Sequence, residues 1–180
     1  DADAPDQYPG GLWARGIDPD GGERWAVRLG TADRWLLRGG GADASGRHLL
    51  TGIAFREDFF SRYGFVACID ATGDLLWTVT DRDWHLFADA EPDAAGRWSV
   101  VGARRRSIGD RVWQYDTGLH GFSPFGAPLW EIQHQASGES QGWSLLAHPD
   151  GGWWAAGTVT SDGDAHDVDL LRTDDRGAID

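Results

Sequence analysis

Lysine, asparagine and methionine are absent from this 180-residue chain, so arginine supplies all 16 basic side chains. Their joint absence points to a coding sequence rich in G and C, and so to a bacterial source. Cysteine is nearly absent too: Cys68 stands alone, which excludes an internal disulfide framework and any site needing two thiolates. No run of eighteen apolar residues occurs, which leaves no candidate for a membrane-spanning helix. Positive charge is scarce, with 29 acidic against 16 basic residues and a formal charge of −13. That balance repels phosphate backbones, and nucleic acid is not expected as a partner.

Familiar catalytic signatures are missing as well. There is no G-x-S-x-G elbow, the six histidines (48, 85, 120, 134, 148 and 166) form no H-x-x-x-H pair, and no glycine cluster opens a helical period. The sequence therefore assigns no catalytic, cofactor-binding or metal-ligating residue, implies no cofactor, and leaves any ligand-binding residues unknown. The first ten residues, rich in Asp and Pro, lack an initiator Met and an apolar signal core, and read as a disordered or processed N-terminal segment.

What the chain does have is repetition. Asp18-Pro-Asp-Gly21 precedes Trp25, Asp70-Ala-Thr-Gly73 precedes Trp77, and Ser123-Pro-Phe-Gly126 precedes Trp130; Asp174-Asp-Arg-Gly177 is a fourth turn. The turn glycines lie 52, 53 and 51 residues apart, a period typical of repeat architectures. A second marker, G-x-x-x-x-x-G, recurs midway at Gly46–Gly52, Gly96–Gly102 and Gly151–Gly157. The glycines of the first marker read as turn positions, and Gly52, Gly102 and Gly157 as places where a strand bends or a neighbour approaches closely.

Between these markers lie short runs rich in aromatic and β-branched residues, such as Trp25–Leu29, Phe65–Ile69 and Trp98–Val101. They are too short for typical helices and are bounded by Gly, Asp, Ser or Pro. Four such runs per unit predict an all-β fold of β-propeller blades, each of four antiparallel strands, with repeats over about 22–73, 74–126 and 127–177. On that count residues 11–18 form one orphan N-terminal strand of a partial propeller spanning 11–180. Three units cannot close a ring, so self-association, or a place within a longer propeller, is expected.

The stretches Cys68–Trp77, Pro149–Gly157 and Asp167–Gly177 resemble bacterial β-propeller repeats of roughly fifty residues found in secreted and cell-surface proteins. The chain is more loosely similar to the quinoprotein-type repeat, whose tryptophan-docking segment reads A-x-D-x-x-T-G-x-x-x-W; Cys68 stands where a small Ala is usual. The resemblance implies a fold, and with it a secreted, periplasmic or cell-surface setting.

Eleven tryptophans invite a sugar-binding reading, because indole faces stack on sugar rings. Most recur with the repeat: Trp25, Trp77 and Trp130 after the turns, Trp98 and Trp153 at one equivalent place, and Trp35, Trp84 and Trp143 in the second run of successive units. Recurrence of that kind is expected of packing between blades. Trp13, Trp113 and Trp154 remain as candidates for exposed stacking. Variable loops at 56–61, 104–110 and 160–167 are where ligand contacts are expected. Among them, Arg104–Arg106 reads as a solvated hairpin tip, and Asp162–Asp169 is a carboxylate-rich hairpin that could hold a cation. Two functions follow: a non-enzymatic binding or scaffolding module, or a glycan-binding or glycan-processing propeller.

Overall fold

A computed structural model describes residues 12–29, 34–55, 62–110, 112–136, 138–160 and 166–179. Those residues contain strands and turns without a helix, and every pairing between strands is antiparallel. Strands β1 (Leu12–Ile17) and β2 (Glu23–Leu29) form a two-stranded first sheet. The second sheet holds β3 (Arg34–Ala42), β4 (His48–Phe55), β5 (Arg62–Ile69) and β6 (Leu75–Asp81) in chain order. The third holds β7 (Trp84–Pro92), β8 (Trp98–Gly109), β9 (Val112–Phe122) and β10 (Pro128–His134). The fourth has β11 (Glu139–Ala147), β12 (Trp153–Thr160) and β13 (His166–Thr173).

Two sequence expectations need correction here. The strand at 12–17 is not an orphan, because β1 is hydrogen-bonded to β2 along its length. Nor are there three four-stranded units: the described sheets have two, four, four and three strands. The strand that follows each D-x-x-G turn folds back on the strand before it, so the sequence period runs one strand ahead of the sheets. Trp77, for instance, lies on β6, opposite Cys68 of β5 in the same sheet.

Strand composition follows burial. In β5, Phe65-Val-Ala-Cys-Ile69 is buried without a break, since both faces are covered by neighbouring sheets. In β6, by contrast, Trp77 and Val79 alternate with exposed Thr78 and Thr80, as befits an outer strand covered on one face. Apolar layers fill the spaces between sheets. Leu12 and Ala14 meet Phe65 and Ile69 between the first and second, Leu49 and Val66 meet Phe87 and Trp98 between the second and third, and Val101 and Leu119 meet Leu145 and Trp153 between the third and fourth.

Seven hairpin turns share one geometry: they start at residues 18, 43, 70, 93, 123, 148 and 174. In each, the fourth residue is a glycine whose N–H donates to the carbonyl of the first, while the N–H of the first donates to the carbonyl four residues on. The glycine φ lies between 72° and 95° in all seven, a left-handed conformation in which a Cβ would be strained. In the turns opened by Asp43, Asp70, Asp93 and Asp174 the carboxylate caps backbone donors, as Asp70 Oδ1 does for Thr72 N at 2.8 Å and Asp74 N at 2.9 Å. The midway marker is thus the same turn again, placed between the first and second strands of a sheet. Gly52, Gly102 and Gly157 lie opposite Leu37, Phe87 and Gly142, each the edge of a β-bulge on the preceding strand.

The indoles of Trp25, Trp77 and Trp130 each lie against a turn glycine of the next sheet: Gly73, Gly126 and Gly177 respectively. A Cβ built on any of these glycines would fall 2.6 Å from a carbon of the indole. Trp77 Nε1 also donates to the Pro124 carbonyl of that turn at 3.1 Å. Behind each indole a small residue of its own sheet makes room, namely Gly16, Cys68 and Gly121, its cross-strand partners. Cys68 is fully buried there, and burial pushes its thiol up to about 11. Arg47 adds a polar tie: paired with Asp43, it donates to the Gly96 and Pro124 carbonyls of two turns in the next sheet, both at 3.3 Å.

Gly21 has the same conformation, φ 87°, but among the described residues nothing would lie within 4 Å of a Cβ there. Gly21→Ala therefore meets backbone strain alone, whereas Gly73→Ala meets strain and the Trp25 indole. In urea unfolding, Gly73→Ala should cost about 1–3 kcal/mol more than Gly21→Ala, the range for inserting a methyl into a packed contact. Equal costs would contradict the contact.

Candidate functional site

Because the seven turns sit at one end of the sheets, the loops that vary between units gather at the other. Residues 56–61 and 161–165 lie outside the described residues, so the first loop and most of the third are left there. The hairpin β8–β9 is described, and it corrects one expectation. Arg104–Arg106 is not a hairpin tip: the ladder continues past it to Gly109 and Val112.

The three arginines go to different partners. Arg104 Nε lies 2.9 Å from Glu131 Oε1, which also accepts from Trp84 Nε1 at 3.0 Å. Arg106 pairs with Asp116 at 2.7 Å, and Gln133 Nε2 donates to the same carboxylate at 2.6 Å. Asp116 is fully buried, so these donors offset a desolvation that would otherwise be costly. Arg105 turns the other way. Its Nη2 donates to the Arg62 carbonyl of the second sheet at 2.6 Å, and its backbone N–H donates to the Asp83 carbonyl at 2.7 Å.

His85, the extra residue of a β7 bulge, stands between these sheets. Its ring packs on Tyr115 at 4.4 Å between centroids, Arg62 Nη1 donates to its Nε2 at 3.4 Å, and its buried Nδ1 has no partner among the described residues. The Arg62 guanidinium in turn covers the Phe55 ring at 5.6 Å. Burial, then Arg62, Arg105 and Arg38, push the His85 pKa down to about 4. Sequence reasoning missed this residue: a lone His at a strand start carries no local signal, and the surrounding arginines come from three separate strands.

The other singled-out residues fall apart in space. Trp113 is 55% exposed near the β8–β9 tip, Trp13 is partly exposed on β1, and Trp154 is half-buried beneath the Arg172 guanidinium at 5.9 Å. Trp84 is fully buried, while Trp143 is exposed and donates to Thr158 Oγ1 at 3.0 Å. Trp35, Trp84 and Trp143 lie on β3, β7 and β11, the second runs of their units, but Trp143 sits five residues before its turn and Trp84 nine before its own, so the two fill different places. Of the carboxylate-rich hairpin, Asp169 lies 3.6 Å from His134 of the third sheet, and among the described residues no group of three metal-capable side chains forms.

No family model matches the chain, and no curated protein matches it. Among solved structures, a protein of unknown function from Bacteroides caccae is similar, with 10% identity and a TM-score of 0.49 over 95% of this chain and 73% of that one. A likeness at that level carries no argument about fold or function.

His120 is the second histidine held neutral. Burial lowers its pKa, although Glu131 and Asp81 pull the other way, and its ring stacks on Phe122 at 4.1 Å. Both histidines have folded pKa values below the unfolded 6.5, so the stability they contribute is complete above about pH 6.5 and is lost as pH falls towards the folded values, near 4 for His85. Glu91, raised by burial and by Asp89, acts with the opposite sign. Unfolding free energy should decline from pH 6.5 to 4, and His85→Gln should flatten part of that slope. An unchanged slope would show that His85 is not held neutral.

Proposed function

We propose that the chain is a run of β-propeller blades serving as a non-enzymatic binding or scaffolding module, in a secreted or cell-envelope protein. The observation that supports it best is the contact of indole on turn glycine, repeated from the first sheet to the second, the second to the third and the third to the fourth. A fixed contact between successive units imposes a fixed rotation from each to the next, which is what a propeller requires. Of the tryptophans that recur with the repeat, Trp25, Trp77, Trp98, Trp130 and Trp153 are occupied in the layers between sheets. Variation between units is concentrated at the opposite end, among the arginines, where a binding role fits. The resemblance to bacterial cell-surface repeats supports the compartment.

A glycan-binding or glycan-processing propeller is the second reading, favoured by the 55% exposed Trp113 at the loop end. Saturable sugar binding that disappears in Trp113→Ala would raise it above the scaffold.

The scaffold reading includes self-association through a second copy. Four residues before its turn, Leu170 holds the place of Val66 and Leu119, both fully buried under the next sheet, yet Leu170 is 60% exposed. Val168, at 82%, stands where the buried Gly64 and Thr117 stand, and Leu146 beside them is 63% exposed. This face continues the covered faces of the second and third sheets and should be covered in the same way. Sedimentation velocity should show concentration-dependent association that Leu170→Asp, by placing a charge in the contact, abolishes. A wild-type protein that stays monomeric up to about 100 µM would contradict it.

A further inference from the structure

Among the described residues, Arg15, Arg24, Arg47, Arg97, Arg104 and Arg106 have a carboxylate within 4.0 Å. Arg38, Arg62 and Arg105 have none there, nor have Arg82 and Arg176, although the chain carries 29 acidic residues. Arg62 donates to the His85 ring and Arg105 to the Arg62 carbonyl, while Arg38, on a strand packed beside β7, adds to the positive field at His85. These three come from β3, β5 and β8, so the gathering is a product of the fold. Arg38 is the extra residue of the β3 bulge and is exposed, as is Arg62. Arg62 and Arg105 are fixed in place: the first lies between the Phe55 ring and His85, and the second is tied to the Arg62 carbonyl. The Asp81 carboxylate accepts from Asp83 N at 2.8 Å and makes no ion pair with these arginines.

Unpaired guanidinium groups held this way are costly in self-repulsion and leave strong donors unused. Their fork geometry suits the two oxygens of a carboxylate or sulfate. We propose that Arg38, Arg62 and Arg105, gathered around His85 where the second and third sheets meet, form a binding site for an oxyanion carried by an acidic ligand. His85 supplies the position: as a neutral ring accepting from Arg62, it aims that guanidinium without neutralising it. The proposal rests on the reading of the chain as a binding module, and adds the chemistry of what is bound.

The test is titration of the whole chain with sodium sulfate and with sodium glucuronate at constant ionic strength, followed by NMR at the arginine Nε and histidine ring signals. The expected result is saturable shifts at Arg62, Arg105 and His85, with affinity about tenfold weaker in Arg62→Gln and in Arg38→Gln, both changes at exposed side chains. Arg24→Gln, which removes an exposed arginine paired with Asp18, should leave affinity unchanged. Preference for sulfate or for glucuronate identifies the oxyanion. Shifts that never saturate, or an equal loss of affinity in Arg24→Gln, would overturn the site as nonspecific screening. Near-ultraviolet circular dichroism confirms that each variant is folded, and self-association that survives while oxyanion binding fails would refute this site alone.

Discussion

The contact between an indole and the left-handed glycine of a neighbouring turn is what the rest of this structure depends on. It requires three things from the sequence at once: a glycine where φ is positive, a tryptophan four residues after the preceding turn, and a small residue across the strand to leave room for the ring. Gly16, Cys68 and Gly121 meet the third demand and Gly73, Gly126 and Gly177 the first. Because the contact joins one sheet to the next, it also fixes which strand faces lie between sheets. Those faces then read as unbroken apolar runs, as in Phe65–Ile69.

Polar contacts reinforce the same joints where the indole does not reach. Asp89 Oδ2 in β7 accepts from Leu145 N at 3.0 Å and Ser144 Oγ at 3.3 Å, tying the bulge of one sheet to the bulge of the next. Ser140 Oγ accepts from the buried Thr117 N at 2.7 Å in the same layer. The bonds at Thr117 N and Leu145 N matter because each would otherwise leave a buried donor unmet, a cost larger than the net gain of the bond itself. The polar contacts tie β7 and β9 of the third sheet to β11, the first strand of the fourth, while the indoles hold the last strand of each of the first three sheets.

Much of the fold was legible in the sequence, since turn chemistry and strand composition are local properties. The turn glycines and the Trp four residues on marked three of the seven turns, Asp174-Asp-Arg-Gly177 marked a fourth without a Trp, and the apolar runs located the strands. Sheet membership was not legible. A period says where a unit recurs and not where a sheet begins, so the strand bearing each turn tryptophan was grouped with its successors instead of the strand it pairs with. The turns at Asp43, Asp93 and His148 were seen as parts of a G-x-x-x-x-x-G marker, although Asp43-Ala-Ser-Gly46 and Asp93-Ala-Ala-Gly96 carry the same residues that cap the others. The candidate site was less legible still. Arg38, Arg62, His85 and Arg105 meet only through bulges and register between two sheets, and neither leaves a mark in local sequence.

A double-mutant cycle on Trp77 and Gly126 tests the central claim most directly. If the indole occupies the space above the glycine, Gly126→Ala is costly in the wild-type background and falls to backbone strain alone once Trp77→Ala has emptied the slot. The predicted coupling is at least about 1 kcal/mol, within the range for residues in contact. Costs that add to within about 0.3–0.5 kcal/mol, as for independent sites, would contradict the account.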